Sequence, residues 1–194
     1  MLNFWQLSEI YKNKRLVIVD IQPSYKSHIN FNIYQFMQFA SEYSSILMLF
    51  NGPDLGMEDQ NAIKEWYYEC GFPEENLHKI QFFEKNYGFF RDVMDQCWLR
   101  QHIVKLIQYM IKKNISDIRE LSENDVKFLK IPELAFDSLE NHGFYIPELQ
   151  SILPKWSGSD MCGGGFYECL DEVVLLSEAM KLKFNLVKQF VYGN

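Results

Sequence analysis

The chain has 194 residues, with 19 Lys and Arg against 26 Asp and Glu for a net charge of −7, and is 47% hydrophobic and 16% aromatic. That length suits a single domain with a substantial core, the ordinary charged fraction excludes a disordered chain, and the acidic balance argues against a sequence-independent nucleic-acid binder, which needs a basic field. Four cysteines (Cys70, Cys97, Cys162, Cys169) form no CxxC pair and four histidines (His28, His78, His102, His142) show no ligand spacing, so neither a disulfide framework nor a zinc ribbon is expected.

Residues 2–12 (LNFWQLSEIYK) lack the basic region and apolar run of a signal peptide, and read as a short amphipathic helix against the sheet. No stretch approaches the roughly 18 apolar residues of a membrane helix. The expectation is therefore no membrane contact and a cytoplasmic location, the host cytoplasm if the protein is viral. Leu16 to Val19 form a β-branched run that ends at Asp20. A run apolar at every position is buried on both faces, the mark of a parallel strand. Pro23 cannot donate to a central ladder, so the strand ends before it.

Residues 31–43 place Phe31, Tyr34, Phe36 and Phe39 at helical spacing and read as a core-facing helix. Ile46 to Phe50 supply a second buried strand, closed by the turn signal Asn51-Gly52-Pro53-Asp54. A helix over about 58–70 follows, ended by Gly71 and Pro73. Ile80 to Phe83 give a third strand, with Glu84 and Lys85 at its end. A long helix over about 89–113 carries Ile103, Ile107, Met110 and Ile111 as its buried stripe. Residues 114–157 are punctuated by Pro132, Pro147 and Pro154, and Ser122 to Asp125 suggest a helix cap. This segment is expected to be a helical insertion or lid within one domain spanning 1–194. Lys183 to Val191 are expected to form the last strand.

The chain is organised around MCGGGFYECLDE, Met161 to Glu172. A short apolar strand leads into three glycines and then into a helix with Cys169 on its first turn. Glycines permit φ > 0 and close backbone approach, and a helix start presents unpaired N–H groups that favour a thiolate. The plain structural reading is a tight turn followed by a core cysteine, since Phe166, Val173 and Met180 share the stripe. The alternation of strands and helices predicts an α/β fold: a three-layer, doubly wound, mainly parallel sheet of about five or six strands. Ligands in such folds bind beyond the carboxyl ends of the strands. That rim gathers Asp20 as a catalytic carboxylate, Lys85 as an ammonium and Cys169 as a thiol nucleophile. Asn51, Asp54, Gly163, Gly164, Gly165 and Glu168 are candidate ligand-binding residues.

RLVIVDIQPSY, FFEKNYGFF and CGGGFYECL resemble the three signature segments of the isochorismatase-like cysteine hydrolases: a first strand ending in Asp-x-Gln, a lysine segment and a nucleophile turn. The resemblance implies Asp20 as general acid/base, Lys85 as thiolate stabiliser and Cys169 as nucleophile. It also implies a small amide or ester-like substrate, no cofactor, and often an oligomer. The approach to the cysteine departs from that family's usual threonine-containing one, and no histidine pair follows Asn51 to hold a metal. The whole chain is also similar to uncharacterised proteins of tailed phages. Two other readings stay open. Asp20, Asp54, Glu168 and Glu172 resemble the carboxylate set of a PIN or NYN nuclease, with Glu168 and Glu172 on one helix face and Lys85, Arg91 and Arg119 on phosphates. The aromatic load equally suits a non-catalytic interface for a partner or a second copy.

Overall fold

A computed structural model of the protein describes residues 13–85, 100–132, 136, 148–166 and 168–192. The expected helix over 2–12 and the start of the one over 89–113, with Arg91, lie outside the described residues. The described residues fall into two compact units. One holds 13–85, 156–166 and 184–192; the other holds 100–132, 136, 148–155 and 168–183.

The first unit contains a five-stranded sheet: β1 (Arg15–Val19), β2 (Ser45–Phe50), β3 (Ile80–Glu84), β4 (Asp160–Gly163) and β5 (Asn185–Leu186). The order is β3-β2-β1-β4-β5, and every pairing is parallel. Chain order runs outward from β1 to β3 and then reappears on the other side of β1. This is the doubly wound, Rossmann-like α/β arrangement that the strand pattern predicts, with its switch point between β1 and β4. Leu16, Val17, Ile18 and Val19 have no exposed surface. Each such side chain contributes about 1.5–3 kcal/mol through burial, which fixes β1 as the central strand.

Helix α1 (Ile33–Ser41) starts at Asn32, whose side chain accepts from the Gln35 N–H at 3.0 Å. Its Phe36, Met37 and Ala40 enter the core formed with Leu16, Ile18, Ile46 and Met48. Helix α2 (Gln60–Glu69) is capped by Asp59, which accepts from the N–H groups of Asn61 and Ala62. Ile63 and Tyr67 join the same core. The helix stops where Gly71 turns left-handed at φ +97°.

The expected last strand over 183–191 is present but much shorter. Only Asn185 and Leu186 pair with β4, and residues Lys188–Phe190 wind into a 3-10 turn. The turn delivers Phe190 to the rings of Phe31, Phe36 and Phe39, with centroids 4.8–5.4 Å away. Aromatic packing there outweighs the β propensity of the run.

The described part of the second unit is helical. It comprises α3 (Arg100–Lys113), α4 (Glu123–Leu129), α5 (Leu149–Ile152) and α6 (Cys169–Ala179), with 3-10 turns at Ile118–Glu120 and Leu153–Trp156, the latter ending at the unit's edge. Ser122 and Asp125 form the capping box of α4. Arg100 ties α3 to α6 through Asp171 at 3.3 Å and Glu178 at 3.4 Å. Where described, the segment 114–157 carries only these short helices and 3-10 turns, and its residues up to Lys155 group with α3 and α6. No helix among the described residues is long and apolar enough to cross a membrane.

Candidate active site at the carboxyl edge of the sheet

Asp20 is the first residue beyond β1. Its N–H still donates to the Leu49 carbonyl at 2.9 Å, but its φ of +48° turns the chain out of the ladder. Only a few non-glycine residues adopt this left-handed conformation, aspartate among the more tolerant, and it is a recognised form of strain at functional sites. The turned carbonyl of Asp20 accepts from the Tyr192 hydroxyl at 2.8 Å. Lys85 occupies the matching place beyond β3, its N–H donating to the Phe50 carbonyl at 2.8 Å.

The two side chains meet across the end of β2. Lys85 Nζ lies 2.8 Å from Asp20 Oδ2, with the side chains 1% and 0% exposed. Removing two charges from water costs several kcal/mol per ion, and only their mutual attraction offsets it. The ammonium approaches off the hydrogen-bonding direction, so among the described residues neither carboxylate oxygen of Asp20 receives a directed hydrogen bond. A buried carboxylate held by charge alone keeps its lone pairs for another donor.

A polar bracket secures the neighbouring loops. Gln22 pairs with the backbone of Asn51 in both directions: its Oε1 accepts from the Asn51 N–H at 3.0 Å and its Nε2 donates to the Asn51 carbonyl at 2.9 Å. The same Nε2 donates to Glu58 at 3.0 Å, and Ser24 Oγ donates to the other Glu58 oxygen at 2.8 Å. Burial alone raises the Glu58 carboxyl's pKa, but the hydrogen bonds from Ser24 and Gln22 prevail and hold it below the ordinary carboxylate value. Asn51 is 3% exposed and donates from Nδ2 to the Tyr25 hydroxyl at 2.9 Å. Its Oδ1 is buried without a partner among the described residues. Tyr25, His28 and Tyr192 cluster above these loops, with ring centroids 6.0–6.5 Å apart.

The glycine turn completes this edge. Gly163 and Gly164 have φ of +80° and +62°, as their sequence suggests. A side-chain carbon at Gly163 would lie 2.2 Å from the Val19 carbonyl oxygen, so only glycine fits where β4 pairs with β1. Gly165 bridges to Tyr192, whose N–H donates to the Gly164 carbonyl at 3.0 Å. The segment that clamps Asp20 is therefore anchored on the glycine turn.

Of the residues singled out in the sequence, Asp20, Lys85, Asn51, Gly163, Gly164 and Gly165 belong to the first unit. Asp54 does as well, but it is exposed on the 3-10 turn Pro53–Leu55. Cys169 opens α6 in the second unit and is half-buried. Glu168 is the exposed cap residue of α6, outside the helical conformation at φ −131° and ψ −133°, whereas Glu172 is buried. The two were expected to share a helix face, but Glu168 lies outside the helical conformation as the cap and is exposed while Glu172 is buried. Among the described residues no three His, Cys, Asp or Glu side chains group as ligands for a metal ion. At Asp20 the Lys85 ammonium takes the place a cation would use.

The other described cysteines are poor nucleophiles. Burial, with Asp160 nearby, pushes the Cys162 thiol far above its usual range. Burial raises that of Cys70 too, against the opposing charge of Lys26.

Gln22, Glu58 and Tyr192 were not foreseen as site residues. Gln22 stands two after Asp20, within the Asp-x-Gln segment, which was the available signal. Glu58 and Tyr192 carry none, because only the folded chain brings them to this edge. Comparison of the chain with protein-family models, with curated proteins and with solved structures finds no match in any of the three.

Proposed function

We propose that this protein is a cysteine hydrolase of small amide or ester-like substrates, of isochorismatase-like type. The observation that carries the reading is the buried Asp20–Lys85 pair, held beyond the strand ends beside the switch point, where a doubly wound sheet binds its ligand. A carboxylate kept in a strained backbone, neutralised by one ammonium and lacking hydrogen bonds, is poised to exchange a proton. Cys169, six residues beyond Gly163, supplies the thiol in this reading.

The reading requires Asp20 to take the proton from the Cys169 thiol, so that the thiolate attacks the substrate carbonyl carbon. The oxyanion so formed is received by backbone N–H groups of the Gly163 to Gly165 turn. Collapse breaks the carbon–nitrogen or carbon–oxygen bond, and the leaving amine or alcohol takes the proton from Asp20. Water then attacks the thioester and gives a proton to Asp20, and the thiolate departs to be reprotonated. Lys85 supplies the counter-charge beside Asp20 and favours the thiolate in this reading. The partner in this reading is a small molecule, with neither nucleic acid nor membrane required and a second copy of the chain left open.

Alkylation by iodoacetamide at neutral pH, followed by peptide mapping, tests the reading. Cys169 should react well ahead of Cys70 and Cys162, and Lys85→Met should slow it. A Cys169 no faster than an unactivated thiol, or one indifferent to Lys85, overturns the nucleophile assignment.

A further inference from the structure

The two outer strands of the sheet are not alike. β5 is two residues long and gives way to a 3-10 turn at Lys188, so it offers little ladder to a further strand. β3 is five residues long and pairs with β2 in unbroken register from Ile80 to Glu84. Natural edge strands are guarded by bulges, prolines or lysines, and Ile-Gln-Phe-Phe-Glu has none of these.

One bond shows which backbone groups of β3 are open. The Lys85 N–H reaches the Phe50 carbonyl, so Lys85 faces β2, and by alternation so do Gln81 and Phe83. Ile80, Phe82 and Glu84 therefore aim their N–H and C=O groups away from the sheet. The Ile80 N–H is taken up by the Leu77 carbonyl. Among the described residues, the Ile80 carbonyl and both backbone groups of Phe82 and Glu84 have no protein partner.

The flank of α2 stands over this edge. Lys64 Nζ lies 5.2 Å from the centroid of the Phe82 ring. Tyr68, one helical turn further along the same flank, is 55% exposed. Among the described residues neither Lys64 nor Glu84 has an ion pair.

We infer that β3 is a dimerisation strand: two copies of the chain join edge to edge, antiparallel about a two-fold axis at Phe82, into one continuous sheet. In that register Phe82 exchanges both backbone hydrogen bonds with Phe82 of the second copy. On each side of the axis a Glu84 N–H donates to the Ile80 carbonyl across the seam. The two Phe82 rings become a cross-strand aromatic pair. Because the axis is perpendicular to the sheet, both α2 helices lie on one side of it, with Tyr68 facing the seam. Two Lys64 and two Glu84 side chains meet there, and their charges balance. The contact is self-complementary and closes on itself, since it consumes the long edge of both copies. Head-to-tail growth would need β5 as the partner, and β5 is too short. None of the residues assigned to the chemistry takes part, so the inference stands apart from the hydrolase reading.

Sedimentation of the full chain from micromolar to submillimolar concentration, with residue-resolved hydrogen exchange at both ends of that range, tests the inference. A dimer should form as concentration rises. The amides of Phe82 and Glu84 should slow with it, while those of Gln81 and Phe83, already bonded to β2, should be slow throughout. Glu84→Lys replaces the balanced charges by like ones on both sides of the axis and should weaken the dimer by about tenfold or more. Melting establishes that the variant is folded, and the exchange pattern of the parent chain is decisive if it is not. A monomer at every concentration overturns the inference and leaves the edge to a strand from a different protein. A dimer in which the Phe82 and Glu84 amides exchange as fast as in the dilute chain overturns it too, because the interface then lies elsewhere. An undiminished dimer in folded Glu84→Lys overturns the register centred on Phe82.

Discussion

Gly163→Ala should be among the most damaging single-methyl additions in this protein, for a reason that can be isolated by a control. The added carbon would sit 2.2 Å from the Val19 carbonyl oxygen, 2.9 Å from Ile21 Cγ1 and 3.0 Å from the Val19 nitrogen. Two of these atoms are backbone of the central strand, which has Ser45–Phe50 on one side and Asp160–Gly163 on the other, so it cannot retreat. Overpacking of this kind costs about 1–3 kcal/mol. The left-handed φ of +80° adds about 1–2 kcal/mol for any residue with a side chain. The sum is about 2–5 kcal/mol, a large fraction of the total stability of a typical domain. Gly56 provides the control, with φ of +70° and nothing within 4 Å of an added carbon. Gly56→Ala should therefore show the backbone cost alone. Urea unfolding of both variants, read by circular dichroism and by fluorescence, separates the two contributions. If Gly163→Ala is no less stable than Gly56→Ala, the close approach of β4 to β1 is wrong.

Lys85→Met leaves a buried carboxylate without its counter-charge and should cost about 3–5 kcal/mol, while the double variant Asp20→Asn, Lys85→Met should recover much of that loss; strict additivity in chemical denaturation would deny the ion pair. Glu58 has a folded pKa below its unfolded value, so its stabilisation is present above the unfolded pKa and is lost as pH falls through the folded one. Stability measured across that acid range should fall less steeply in Glu58→Gln than in the parent, and identical slopes would remove Glu58 from the bracket. Tyr192→Phe deletes the donor to the Asp20 carbonyl and should destabilise by about 1 kcal/mol or more, an effect that hydrogen exchange at residues 20–22 would register as faster opening. Unchanged exchange there would show that the hydroxyl does not restrain the strand exit.

The sheet was legible because its central strands are apolar at consecutive positions, a pattern that burial on both faces demands and that a half-exposed strand would not produce. From the strand ends the positions of Asp20, Asn51 and Lys85 followed, since a parallel sheet puts all its strand termini on one rim. The ion pair itself was less accessible. It depends on β2 lying between β1 and β3, which is a property of topology. The C-terminal run misled because Val187, Phe190 and Val191 have the composition of a strand, while three aromatic neighbours on and before α1 draw Phe190 inward. Glu168 and Glu172 misled for a local reason: spacing of four implies a shared face only when both residues are inside the helix, and Glu168 is its cap.

The tie from Tyr192 to Asp20 joins residues 172 positions apart, and β1 waits for a partner that begins only at Asp160. Contacts so distant in sequence form late, because the intervening loop must close before they reward it. During synthesis β1, β2 and β3 can pair while β4 is still unmade, leaving one side of the central strand as an open edge. The ribosome must therefore deliver residues 160–192 before Asp20 is clamped and the glycine turn is seated. A growing chain would carry the Asp20 and Lys85 side chains from early on, yet it would acquire the finished corner only once residue 192 had emerged.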